Sequence, residues 1–171
     1  MKKTPFNPAR TLIALALGIA SAVSAGNAQA QALTVEQARA AIAPFYDALN
    51  QPGSKDVAAL ITSATSPDFV SCSGNDVCSP RDKVIGAIAG FFGKSIPDLK
   101  WEIKEVLVSG DRAIVRGEAS GTPSGPFMGV PHGGKSFRVM SIDVHTIREG
   151  KMVRAYHLED WMGAARQLSA K

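Results

Sequence analysis

Two cysteines are all that this chain holds, no block of like charges interrupts it, and no low-complexity tract is present. No segment repeats at a period of about 20 to 50 residues either, so solenoids, collagen-like chains and largely disordered chains are excluded. An apolar run long enough to cross a membrane is also missing. Residues 11–23 are mostly apolar but give way to Ser24, Asn27 and Gln29, short of the roughly 20 residues that a spanning helix needs. The formal charge of +4 is no sign of nucleic-acid binding. Lys2, Lys3 and Arg10 stand in a leader without acids, which leaves 16 of the 19 basic residues against 15 acidic ones.

What that leader does hold is the pattern of a signal peptide: a basic start, the apolar run, and the small residues of Ala28-Gln29-Ala30. Cleavage is expected after Ala30, with a second candidate position after Ala25. Residues 31–171 then form one exported domain, periplasmic or secreted, with no stable membrane anchor. Export meets an oxidising compartment, so Cys72 and Cys78, with five residues between them, are expected to form a local disulfide. Closing so short a loop stabilises by about 2 to 3 kcal/mol in the chain-entropy model, enough to pin the loop but not to hold the fold. Zinc would need more ligands than two thiols, and no histidine lies near them in sequence.

Thr34 with Gln37 makes a capping-box pattern, and Ala38, Ala41, Ile42, Phe45 and Leu49 supply the apolar stripe of a helix that Pro44 should kink. After a Gln51-Pro52-Gly53-Ser54 turn, residues 55–65 carry Val57, Leu60, Ile61 and Ala64 at helical spacing. Ser79-Pro80 opens a third helix with Val84, Ile85, Ile88, Phe91 and Phe92 on its apolar face, ending at Gly93. From Trp101 the period falls to two. Ile103, Val106 and Val108 lead through Ser109-Gly110-Asp111-Arg112 into 113–119, one hairpin, and a Gly/Pro-rich segment, 121–134, precedes a second hairpin of 136–147 and 151–160 turned by Glu149-Gly150. Helices followed by antiparallel strands predict an α+β domain with the helices on one face of a curved sheet.

Phe45-Tyr46-Asp47, Pro67-Asp68-Phe69-Val70, Ile96-Pro97-Asp98-Leu99, Phe127-Met128-Gly129-Val130-Pro131, Glu149-Gly150-Lys151-Met152-Val153, and Glu159-Asp160 followed by Gly163 and Gln167-Leu168 stand in one order over nearly the whole mature chain. In that order they resemble the SnoaL-like polyketide cyclase (ester cyclase) family of the NTF2-like superfamily. The resemblance implies a cone-shaped α+β barrel around an apolar pocket and a homodimer packed through sheets. It also implies ring closure by an intramolecular aldol reaction without metal or cofactor. An aspartate near the end of the last strand is the family's acid and base, which Asp160 matches, and a histidine on the preceding strand holds the enolate, near His145. Polyketide cyclisation is cytoplasmic, however, and this chain carries an export signal.

One face of residues 136–147 reads Phe137, Val139, Ser141, Asp143, His145 and Ile147, apolar at the ends and polar in the middle, as a pocket wall needs. With no bulge in the hairpin, Arg154, Tyr156, Leu158 and Asp160 share that side and His157 faces away; a bulge exchanges the two sets. Asp160, His145 and Asp143 are the candidate acid/base set, and Tyr156, Trp161, Phe137, Arg154 and His157 the candidate pocket residues. Asp160 is equally suited to cap a helix over 161–168, and Asp143 to serve as a buried partner of Arg154 or Tyr156. His145, His157 and Asp160 make a poor metal set, because unbulged parity separates the two histidines. His132 is expected at the cavity mouth, exposed.

The segment from Gly129 to Ser136 fits GxxxxGK[ST], but a strand and not a helix follows it and Pro131 removes an amide, so no nucleotide is expected. No GxSxG elbow supports serine hydrolysis. Two readings remain. One is a cofactor-free lyase or isomerase acting on a small apolar carbonyl compound; the other is a non-catalytic module that holds a hydrophobic ligand or a partner protein.

Overall fold

The computed structural model describes residues 32–131 and 133–170. The leader with its cleavage position at Ala30, and His132, lie outside these residues. Helix α1 (Val35–Ala48) begins at the expected capping box, in which the Thr34 and Gln37 side chains each accept the other's backbone N–H. Such a cap contributes about 1 kcal/mol. The helix continues through Pro44 and buries Ala38, Ala41, Ile42, Phe45 and Tyr46. Asp56 caps the shorter α2 (Val57–Ala64) by accepting from the Ala59 N–H.

Strand β1 (Thr65–Cys72) follows at once, where no alternation announces a strand: its burial is irregular and Pro67 lies within it. The short β2 (Cys78–Pro80) pairs back on it, and the Cys72–Cys78 disulfide closes this small hairpin. The helix expected after Ser79-Pro80 starts at Arg81 as α3 (Arg81–Gly86), widens into a π-helical turn (Ala87–Phe92) and ends as α4 (Gly93–Ser95). Two hairpins follow: β3 (Lys100–Ser109) with β4 (Arg112–Gly121), then β5 (Phe137–Arg148) with β6 (Lys151–Glu159), and finally α5 (Trp161–Ser169).

The six strands form one sheet in the order β2-β1-β6-β5-β4-β3. Every pairing is antiparallel except that of β1 with β6, so the sheet is mixed and not wholly antiparallel. The edge strands β2 and β3 do not meet, which leaves the sheet open. The helices and the inner face of the sheet bury Ile42, Ile61, Phe69, Ile96, Leu99 and Met152 almost completely. Each such side chain contributes about 1.5 to 3 kcal/mol.

The register of the β5–β6 hairpin decides the site. Glu149 and Gly150 both take positive φ, 50° and 72°, the geometry of a two-residue turn whose twist suits the strands. Arg148 pairs with Lys151 and Ile147 with Met152, but Thr146 then pairs with Arg154, so Val153 is an extra residue in β6. This bulge exchanges the two sets of side chains. His157 stands opposite Asp143 and Ala155 opposite His145 on the inner face, whereas Arg154 and Tyr156 move to the outer one. The unbulged register is thereby corrected, and with it the separation of His145 from His157.

Candidate active site

A cavity of about 450 Å³ lies between the helices and the inner face of the sheet. Phe45 and Leu49 of α1, Val84, Ile88 and Phe92 from α3 and its π turn, and Trp101 of β3 make its apolar walls. A π turn displaces the helix surface by one residue and is frequent where helices line a site. Trp161 closes another side, its ring stacked on Phe92 with centroids 5.8 Å apart.

The polar floor is carried by β5 and β6. Asp143, His145, His157 and Glu159 all line the cavity. Tyr46 of α1 stands behind them, 4% exposed, and donates its hydroxyl to Asp143 Oδ2 at 2.8 Å. Its oxygen lies 3.0 Å from His145 Nε2. Because the phenol has one proton and gives it to Asp143, His145 Nε2–H is the donor in the second bond. His145 Nδ1 then keeps a buried lone pair without a partner. On the other flank, Trp101 Nε1–H donates to Ser141 Oγ at 3.1 Å, and Ser141 reaches Asp143 Oδ2 at 3.4 Å. Gly117 makes room for this contact: a Cβ there would lie 2.5 Å from Ser141 Oγ. Both hydroxyls address Oδ2, which leaves Oδ1 free of a donor among the described residues.

Glu159 fixes the second half of the floor. It accepts from Trp161 Nε1–H at 3.0 Å and bonds His157 Nδ1 at 2.9 Å. One donor atom each from Asp143, His157 and Glu159 lie within 4.8 Å of one another. Burial pushes Asp143 up to about 7, helped by nearby Glu159 and opposed by the Tyr46 hydrogen bond and by His157. The hydrogen bond to Glu159 raises His157 above its usual range against the effect of burial. Burial drives His145 down to about 3, with His157 adding to the fall. Burial, then the Asp143 charge, raise Tyr46. Near neutral pH the floor therefore holds a carboxyl group close to its titration point, an imidazole whose charged form Glu159 favours, and a neutral His145 bonded to Tyr46.

The structure brings Asp143, His145, His157 and Trp161 together and keeps other candidates apart. Asp160 does not line the cavity: its carboxylate accepts from Gly163 N–H at 2.7 Å as the N-cap of α5 and lies 3.5 Å from Arg166. The carboxylate that faces the cavity at the end of β6 is its neighbour, Glu159. Tyr156 and Arg154 lie on the outer face, the guanidinium 5.8 Å from the ring centroid, because the Val153 bulge turned them there. Phe137 is one layer behind the cavity, stacked on Phe127 and edge-on to Trp161. Lys135-Ser136 runs into strand β5, with no helix where a phosphate loop would need one. Tyr46, Glu159 and Trp101 are the functional residues that strand parity alone misses. A metal ion could be held only by the Asp143, His157 and Glu159 donors among the described residues, a set different from the one weighed on the sequence.

Helices packed on one face of an open mixed sheet, with a cavity whose polar floor is formed by the long central hairpin, define the NTF2-like class of α+β folds. The profile of the SnoaL-like polyketide cyclase family matches residues 40–168, and the chain belongs to that family. Curated proteins give no match. Among solved structures, TsrD from Streptomyces laurentii is 24% identical with a TM-score of 0.68, over 81% of this chain and 99% of that one. IdmH from Streptomyces antibioticus, a candidate polyketide cyclase, is 24% identical with a TM-score of 0.65, over 76% and 96%. An LEH-like epoxide hydrolase from M. tuberculosis is 12% identical with a TM-score of 0.59, over 78% and 90%. At these identities the likeness is one of fold.

Proposed function

We propose that the chain is an exported, cofactor-free lyase or isomerase that moves a proton to or from carbon beside the carbonyl group of a small, largely apolar compound. Asp143, and not Asp160, is its acid and base. The observation that carries this reading is a buried carboxyl group pushed up to about 7 at the floor of a cavity with apolar walls, across the strand pair from an imidazole whose charged form Glu159 favours. A carboxylate of that basicity suits proton transfer near neutral pH. In its ionised form Asp143 takes the proton from carbon, the C–H electron pair moves into the enolate, and the developing oxygen receives a hydrogen bond or proton from His157. Glu159 keeps His157 charged and oriented through Nδ1, so that Nε2–H is the donating side. Tyr46 holds Asp143 in place; its bond to the carboxylate is a positioning contact.

The exposed outer face of the central hairpin supports a homodimer as part of the same proposal. Ile142 and Leu158 are cross-strand partners there, the latter 69% exposed, with Met140 and Tyr156 beside them.

The reaction is tested without knowing the natural substrate. The mature protein is incubated in D₂O with a panel of apolar ketones and β-keto esters, and deuterium entering the α-carbon is followed by mass spectrometry. Wash-in above the buffer rate, lost in Asp143→Asn, is the expected result. A panel in which ligands bind but no compound exchanges would contradict the enzyme reading and favour the binding module.

A further inference from the structure

The end of the cavity away from Asp143 is also polar, and its groups have no use in the proton transfer. Ser71, Ser73, Ser79 and Lys83 line it. Their placement is fixed by the sheet. Ser71 is the direct partner of Ser79 on β2 and of Ala155 on β6, and Ala155 in turn faces His145 on β5. Ser79, Ser71, Ala155 and His145 thus form one row across four strands, and Ser73, the first residue past the end of β1, lines the same cavity. The disulfide between Cys72 and Cys78 sits within this group and ties the two serine-bearing strands to each other. Lys83 reaches the same end from α3.

These groups are unused by the protein. Ser71 is only 7% exposed, yet its hydroxyl makes no hydrogen bond to another described residue, and the same holds for the hydroxyls of Ser73 and Ser79. Lys83 is exposed and makes no ion pair with a described residue, which leaves its ammonium group free to pair with a ligand. A nearly buried, unpartnered Ser71 hydroxyl beside Ser79 and the exposed ammonium group of Lys83, all on the cavity wall, suits a ligand that brings acceptors and negative charge to this end. One ammonium matches one negative charge, and the absence of an arginine fork from the lining favours a carboxylate over a phosphate.

We infer that the ligand is an apolar monocarboxylate, its carboxylate bound by Lys83 and the hydroxyls of Ser71, Ser73 and Ser79, and its carbonyl carried at the far end to Asp143 and His157. This rests on the proton-transfer reading above and names its substrate class. Strands lie about 4.8 Å apart, so two steps along the row separate the serine end from β5 by roughly 10 Å. A chain of about seven carbon–carbon bonds between carboxylate and carbonyl spans that distance.

The test uses 8-oxo-8-phenyloctanoate and its uncharged methyl ester, titrated calorimetrically into the mature protein with its disulfide intact. The carboxylate should bind at least fivefold more tightly than the ester, and rising salt should narrow the gap. Lys83→Met should remove the preference by weakening the carboxylate alone, and Ser71→Ala should reduce it by a smaller factor. Equal binding of the two compounds, or a Lys83→Met variant that weakens both alike, overturns the carboxylate end and leaves the proton-transfer site standing. Failure of both compounds to bind overturns the carboxylate end and the apolar-ketone reading together, because the cavity would then not take an apolar ketone at all. Circular dichroism of each variant shows that any loss is not a loss of fold.

Discussion

The two faces of the β5–β6 hairpin have reversed polarity. The inner face, which packs toward the helices, carries Ser141, Asp143, His145, His157 and Glu159. The outer face carries Met140, Ile142, Tyr156 and Leu158, all well exposed. A sheet with one wet face normally buries the apolar set and shows water the polar one. Here the buried polar set is retained although it desolvates a carboxyl group, which is the arrangement of a site and not of a core. The outer set is not made for water, and a second copy of the chain is the occupant proposed for it.

The sharpest way to test this contrast is to delete Val153. Arg154 would then follow Met152 directly, the Thr146–Arg154, His145–Ala155 and Asp143–His157 pairs would keep their partners, and His157 and Glu159 would stay on the inner face without the bulge. Chemical denaturation should show a cost of about 1 to 3 kcal/mol from the lost local bend and twist, with α-carbon deuteration retained; a folded variant that loses exchange would show that the bulge does more than set the faces.

Asp143→Asn comes next. It should reduce α-carbon deuteration by about 10² to 10⁴. It should also stabilise the fold at pH 8. The folded carboxyl group titrates near 7 and the unfolded one near its ordinary 3.8, so between these values the folded chain keeps a proton that the unfolded chain has lost. Stability from this group therefore falls as pH rises from about 4 to about 7 and stays lost above it. Calorimetry should find the variant more stable by about 1 to 2 kcal/mol at pH 8 and little changed at pH 4. The rate of the wild type should rise through about pH 7 as Asp143 ionises and fall through the raised pKa of His157. Treatment with a chelator should leave this profile unaltered.

A smaller effect is expected from Leu158→Glu, which should raise the dimer dissociation constant by about tenfold or more in sedimentation equilibrium while leaving exchange per chain intact. Smallest is Asp160→Ala. The loss of the α5 cap should cost about 1 kcal/mol with exchange within twofold of wild type, and a collapse of exchange would restore Asp160 to the chemistry.

How far these faces can be read from the sequence differs strand by strand. Residues Phe137 to Ile147 alternate cleanly, so the inner set of β5 is legible by parity alone. The parity of β6 fails because the bulge at Val153 has no glycine or proline to mark it, and one silent residue moves Arg154, Tyr156, His157 and Glu159 to the opposite side. Strand β1 is hidden for another reason. Its sides are covered unevenly, and Pro67 reads as a break. Tyr46 has the spacing of an ordinary core residue of α1, and only the fold shows that its hydroxyl meets a strand almost a hundred residues away. The helix caps at Thr34 and Asp160 depend on three-residue patterns and are legible locally.

The measurement that bears most directly on the central claim is a ¹³C-carboxyl titration of the labelled protein, with the Asp143 signal assigned from its absence in Asp143→Asn. The account predicts a carboxyl group that titrates near 7 in the folded protein without any ligand. A value in the ordinary range near 4 would contradict it, since a solvated or fully paired Asp143 could not serve as the base.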